Sequence, residues 1–170
     1  MRKFIFIAAL AAAGHLSAEI IPVESYKYNV KFLADKRNRY NDEKFTRLTN
    51  GTLDKEPVVL DFKTSRIRNG VLLFNLKNPA QLTAVNFDVF RGPRSFGWKT
   101  VKVYGIDGEN KVLIGEKTFN HPYAPPAGTK SRDKLQMELK SEQKYSAVEI
   151  EFTLTGSYLG LLEVTFEGSL

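Results

Sequence analysis

From Tyr26 onward, apolar and polar residues trade places over short runs, and no stretch repeats at the 3.6-residue spacing of an amphipathic helix. Tyr26 to Leu33 sets Tyr26, Tyr28, Val30 and Phe32 against Lys27, Asn29 and Lys31, which predicts a half-buried strand. Pro57 to Phe62 reads as a second strand, and Val71 to Leu76 as a third after the turn Arg68-Asn69-Gly70. Gln81 to Phe90 sets Leu82, Ala84, Asn86 and Asp88 against Thr83, Val85, Phe87 and Val89, and its apolar residues gather towards a strand end near Phe90. Lys99 to Ile106 and Lys111 to Phe119 flank Asp107-Gly108-Glu109-Asn110, a hairpin signal of the Asp-Gly kind. Asn120 to Ser131 carries Pro122, Pro125, Pro126 and Gly128, too many breakers for a central strand. Leu135 to Leu139, Ala147 to Leu154 and Leu161 to Glu167 complete the set. Strands in this number, roughly eight or nine, with no long helix predict one all-β domain, an antiparallel sandwich or barrel.

At 170 residues the chain suits one domain with a substantial core. Arg2 and Lys3 precede the apolar run Phe4 to Ala13, and small residues follow at Ser17 and Ala18. This is the layout of a secretory signal peptide cut after Ala18, so residues 19–170 form the expected domain, secreted or periplasmic. The apolar run is too short to span a bilayer, and no Cys follows the cut to take a lipid. Removal of the leader takes two basic residues and no acidic ones, so the formal charge falls from +6 to +4. The charges are scattered, which suits a solvated surface better than a nucleic-acid footprint. With no Cys, a thiol enzyme and a Cys-ligated zinc site are excluded, and a secreted domain must be held by core burial or a metal. Of the two His residues, His15 lies in the leader, so His121 stands alone and no His-pair metal site exists in the mature chain.

One stretch breaks the strand pattern. Tyr40 to Leu53 is polar, and its centre Leu48-Thr49-Asn50-Gly51-Thr52 offers several oxygens and a flexible Gly, as a hard cation such as calcium requires. A plain surface turn has the same composition, because Asn-Gly is a common turn signal.

The order of these pieces resembles the galactose-binding-like jelly roll, the group of discoidin (coagulation-factor type C) domains and related bacterial carbohydrate-binding modules. The likeness is carried by Tyr40-Asn41-Asp42 with Arg47-Leu48-Thr49-Asn50-Gly51, by Val58-Val59-Leu60-Asp61-Phe62, by Val101 to Gly108, and by Leu161 to Gly168 with its Glu163. Together they span nearly the whole mature chain. The resemblance implies that the opening loop and the closing Glu163 meet, with structural calcium held by the Leu48 carbonyl, Asn50, Thr52 and Glu163. The group usually has Asp where this chain has Asn50, which removes one charge from the cage and implies weaker calcium binding. A hydrogen-bonded clasp without metal is the alternative. Asn50-Gly51-Thr52 also matches a glycosylation sequon, which a bacterial-type leader argues against.

For a ligand, the loops at one end of such a sandwich are the expected place. Arg91-Gly92-Pro93-Arg94-Ser95-Phe96-Gly97-Trp98 joins aromatic rings to Arg donors, a combination that suits the apolar face and hydroxyl rim of a sugar. In the resembling modules an Arg in this loop often contacts the sugar. Trp98 or Phe96 could instead cap the core, with Arg91 and Arg94 serving solubility. His121 and Tyr123, on a loop stiffened by Pro122, Pro125 and Pro126, form a second candidate contact or an ordinary surface. The reading that follows is a non-catalytic, lectin-like domain for galactose- or hexosamine-type glycans. The alternative is an adhesion or assembly module that binds a protein or an anionic lipid surface through the same loops. Gly-x-Ser-x-Gly, His-Glu-x-x-His and nucleotide-binding glycine loops are all missing; Asp42, Glu43 and Asp54 are available for a glycosidase-type carboxylate pair, but the clasp explains that neighbourhood better.

Overall fold

The computed structural model describes residues 18–32, 41–65, 69–90, 98–118 and 132–170. They form ten strands and one helical turn: β1 (Glu19–Ile21), β2 (Val23–Tyr28), β3 (Lys31–Phe32), β4 (Val58–Asp61), α1 (Phe62–Ser65), β5 (Asn69–Phe90), β6 (Trp98–Asp107), β7 (Asn110–Thr118), β8 (Arg132–Glu138), β9 (Tyr145–Leu154) and β10 (Tyr158–Ser169). Every pairing is antiparallel. One layer holds β3, β4, β10, the second half of β5, and β8, with β1 also on β10. The other holds β2, the first half of β5, β9, β6 and β7. The fold is an all-β sandwich.

The two stretches expected as separate strands, Val71–Leu76 and Gln81–Phe90, are parts of the single strand β5. It pairs with β9 up to Asn75 and again at Ala80, and from Gln81 it pairs with β10 in the opposite layer. Pro79 lies at the crossing, where it has no N–H to offer a ladder. The chain makes the same crossing at Pro22, between β1 on β10 and β2 on β5. The two crossings are joined, since Lys77 N donates to Pro22 O at 2.9 Å. β1 falls in a segment from which no strand was expected. The strand expected over Tyr26–Leu33 breaks at Asn29-Val30, where Asn29 Oδ1 accepts the Val71 N–H at 2.9 Å and so stands in for the ladder. The Asp107–Asn110 hairpin forms as expected, with Gly108 at φ 58°.

Between the layers lies a core rich in aromatic rings. Phe74 meets Phe166 edge-on at 5.2 Å and Phe87 meets Phe152 at 5.9 Å, and all four are fully buried. Alternation along β10 is interrupted by a bulge at Leu162, where the register steps from Leu161↔Val89 to Glu163↔Asp88. Leu161 and Val164 both belong to the core because of it, and Glu163 falls on the opposite side of the strand from Val164 and Phe166.

Registers also show which connections share an end. Asp61 lies beside Tyr158, Phe90 beside Gly160 and Arg132, Asn69 beside Thr153, and Trp98 beside Leu154. The connections 66–68, 91–97, 119–131 and 155–157 therefore all start and finish at one end of the sandwich. Among the described residues no helix is long and apolar enough to cross a membrane.

Phe152 contacts Phe87 and Trp98 and is fully buried. Phe152→Ala is expected to cost about 3–5 kcal/mol of stability, read as a lower urea midpoint at unchanged slope.

Candidate functional site

The loop that follows the first strands is built on Tyr26 of β2. Its hydroxyl donates to the Asp42 carboxylate and accepts the Leu48 N–H at 2.9 Å. Asp42 is 3% exposed, and its carboxylate also accepts the N–H of Thr46 at 3.0 Å and of Arg47 at 3.1 Å. Tyr28 donates its hydroxyl to the Asp42 carbonyl at 3.1 Å. Burial pushes the Asp42 carboxyl up, opposed by those two backbone N–H bonds and by the nearby Arg47 charge. Arg47 fastens the far side of the loop, donating to Asp54 Oδ2 and to the Asn41 carbonyl, each at 2.7 Å. Asp42 and Asp54 are thus both engaged as hydrogen-bond acceptors within the loop.

The loop is held to the last strand at two points. Val164 N donates to the Leu48 carbonyl at 2.7 Å, and Gly51 N donates to Glu163 Oε1 at 3.0 Å. The expected meeting of loop and Glu163 is present, across 112 residues of sequence. Gly51 sits at φ 74°, a left-handed conformation that glycine adopts freely. Asn50 Oδ1 accepts from Thr52 N at 2.8 Å and from Thr52 Oγ1 at 2.6 Å, which closes the turn on itself.

Glu163 is 5% exposed, and its second oxygen, Oε2, has no hydrogen-bond partner among the described residues. Burial pushes its carboxyl up to about 7; the Gly51 N–H works against this, and the charges of Asp88 and Asp54 add to it. Among the described residues no group of three or more His, Asp and Glu side chains gathers where it could hold a metal. A hard cation can instead be met by mixed oxygen donors, and the Leu48 carbonyl, Asn50, Thr52 and Glu163 are all of that type. The buried Oε2 is the group that such an ion would satisfy, so the residues fit calcium in kind. They bring a single carboxylate, so they fit it weakly.

The expected ligand contacts divide. Arg91, Arg94, Phe96, His121 and Tyr123 lie outside the described residues. Trp98 does not offer a stacking floor: it is 4% exposed and packs against Phe87 at 5.6 Å and Phe152 at 5.5 Å. The register step between Trp98 and Thr100 explains the correction, because that bulge turns Trp98 to the same side as Val101 and Val103. At the same end of the sandwich a cavity of about 430 Å³ is lined by Phe62, Lys63, Asn69, Thr153, Leu154, Gly156 and Ser157. None of these was singled out as a ligand contact in the sequence: Phe62 entered only as the end of the Val58–Phe62 strand motif, and the others fall in turns or at strand ends. The Tyr26–Asp42 bond was also missed. Tyr26 read only as an inward strand position, and no local pattern names a partner sixteen residues away.

No protein-family model matches the chain, and no curated protein is significantly similar to it in sequence. Solved structures are similar. The family 32 carbohydrate-binding module of Clostridium perfringens NanJ, in complex with galactose, superposes at a TM-score of 0.62 and 10% identity, over 88% of this chain and 98% of that one. The C-terminal domain of a chitobiase from Bacteroides fragilis gives 0.62 and 13%, over 89% and 98%. An F5/8 type C domain from Bacteroides fragilis gives 0.61 and 12%, over 89% and 97%. The fold is the galactose-binding-like jelly roll. At such identities the likeness establishes architecture alone.

Asp42→Ala leaves the Tyr26 hydroxyl and two backbone N–H groups without their acceptor and is expected to cost about 2–4 kcal/mol in urea unfolding. Glu163 adds a pH dependence. Its folded pKa of about 7 lies above the usual 4.5, so the folded chain binds the proton more tightly than the unfolded chain does. In chelator, stability is expected to be highest below pH 4.5 as far as this group is concerned, and to fall as pH rises towards 7. Glu163→Gln should flatten the urea midpoint across that window, and an unchanged slope would contradict the assignment.

Proposed function

We propose that the chain is a secreted, non-catalytic carbohydrate-binding domain that recognises galactose- or hexosamine-type glycans through the loops at one end of the sandwich. The observation that carries this reading is the convergence at that end. The described residues that flank four connections lie at the end that also holds the 430 Å³ cavity, and two of those connections contain Arg91, Arg94, Phe96, His121 and Tyr123 in the sequence. A cavity with an amide, hydroxyls, a lysine and a phenyl ring in its lining matches the mixed surface of a sugar. The solved neighbours whose names include galactose or GalNAc add support at the level of fold. Residues 1–17 lie outside the described residues, so export by the leader rests on the pattern of Arg2, Lys3 and the Phe4–Ala13 run.

In the same reading, the clasp takes calcium as a structural ion. Leu48, Asn50, Thr52 and Glu163 would hold it, and it would supply the charge that the buried Glu163 lacks. An ion that binds only the folded chain stabilises it by about 2.7 kcal/mol at a hundredfold excess over its Kd.

Thermal unfolding in calcium and in chelator, run over a sugar panel and followed by a glycan array, tests both parts. The expected results are a calcium-dependent rise in Tm, hits among galactose- or hexosamine-type glycans, and loss of those hits in an Arg91→Ala/Arg94→Ala variant that keeps the parent Tm. An array without hits, together with retained binding to anionic vesicles or to protein, would replace the glycan reading with an adhesion module.

A further inference from the structure

The sequence contains two Asn-Gly dipeptides, Asn50-Gly51 and Asn69-Gly70, and the fold treats them in opposite ways. An Asn followed by Gly is the most labile context for asparagine, because the glycine nitrogen can reach the side-chain amide with no β-carbon in the way. Gly70 is denied that freedom. It is buried within the β5–β9 ladder opposite Phe152, and a β-carbon on it would stand 2.1 Å from the Phe62 ring.

Asn50 and Gly51 are both exposed, and the space where a Gly51 β-carbon would stand is empty to 4 Å. The Gly51 N–H is bonded to a side chain, Glu163 Oε1, and not to a ladder partner, so its release does not require a strand pair to open. The Asn50 amide oxygen accepts two donors, Thr52 N at 2.8 Å and Thr52 Oγ1 at 2.6 Å. Two donors on that oxygen polarise the amide carbon and are placed to stabilise negative charge that develops on the oxygen during attack.

We propose that Asn50-Gly51 is a self-modifying site, where deamidation of Asn50 adds a carboxylate to the turn that Glu163 holds and so raises the affinity of the clasp for a divalent cation. Solvent base removes the Gly51 amide proton, and the nitrogen forms a bond to Asn50 Cγ. The Cγ–Nδ2 bond breaks, Nδ2 leaves as ammonia with a proton returned from solvent, and a five-membered imide remains. One water then adds across either imide C–N bond and gives aspartate or isoaspartate at position 50. Among oxygen-ligand sites, the number of carboxylates is a main determinant of calcium affinity. Only this last consequence depends on the cation-binding function proposed above; the covalent change does not.

The test ages the full chain at mildly alkaline pH and follows both dipeptides by peptide mapping with mass spectrometry. In the folded protein Asn50 should convert about tenfold faster than Asn69 or more, because Asn69 reacts only after its ladder opens. In denaturant the two should convert at similar rates. Thr52→Val, a change at an exposed position, should slow Asn50 several-fold in the folded chain. Equal rates in the folded chain, or faster conversion in Thr52→Val, would overturn the proposal. An Asn50→Asp variant, compared with freshly purified parent, should reach its half-maximal calcium-induced rise in Tm at about tenfold lower calcium. If Asn50 converts but this midpoint does not move, the cation cage is wrong and the charge gain has no ligand to act on. If neither protein responds to calcium while Asn50 stays intact, both readings fail.

Discussion

One loop is held to both layers of the sandwich at once. Tyr26, from the layer of β2, bonds Asp42 and the Leu48 amide, while Val164 and Glu163, from the layer of β10, bond the Leu48 carbonyl and the Gly51 amide. The loop therefore acts as a strap between β2 and β10. Leu48 itself is fully buried in the core, so the same residue that is bonded from both sides is also packed. Each of the two buried carboxylates in this strap is expensive to bury, and they are compensated unequally. Asp42 meets three donors and is complete. Glu163 meets one and keeps an oxygen without a partner, which is why it is the group that titrates near neutrality and the group that a cation would complete.

That strap reaches the end of the sandwich marked by Arg132, whose Nη2 donates to the Asp54 carbonyl at 2.6 Å. Binding residues are commonly carried on loops positioned by a rigid scaffold, and here the scaffold includes the crossings of β5 and of β1–β2, which the Lys77–Pro22 bond locks together. The aromatic content of the chain is divided by the same geometry. Trp98, Phe87 and Phe152 serve the core, whereas the Phe62 ring lines the cavity at this end. The similarity to sugar-binding modules is one of architecture, and a jelly roll hosts several kinds of partner. The glycan reading proposed above draws on this likeness of fold and on the residue types of segments 91–97 and 119–131.

Much of this was legible in the residues. Alternation located nearly every strand, and Asp107-Gly108 located the hairpin, because side-chain period and turn chemistry are local properties. The link between loop and Glu163 was legible only through likeness to a family, since its partners lie 112 residues apart. The sequence by itself determined an all-β antiparallel domain, sandwich or barrel, the place of its turns and the supply of oxygen and aromatic groups. Only the tertiary structure decided that two apparent strands are one bent strand, that Trp98 turns inward, that Asp42 is a finished structural acceptor, and that Glu163 is an unfinished one. Each of these depends on a bulge, a crossing or a distant donor. Such features are set by which strands pair and in what register, and that choice minimises unpaired polar groups and exposed apolar area over the whole chain at once.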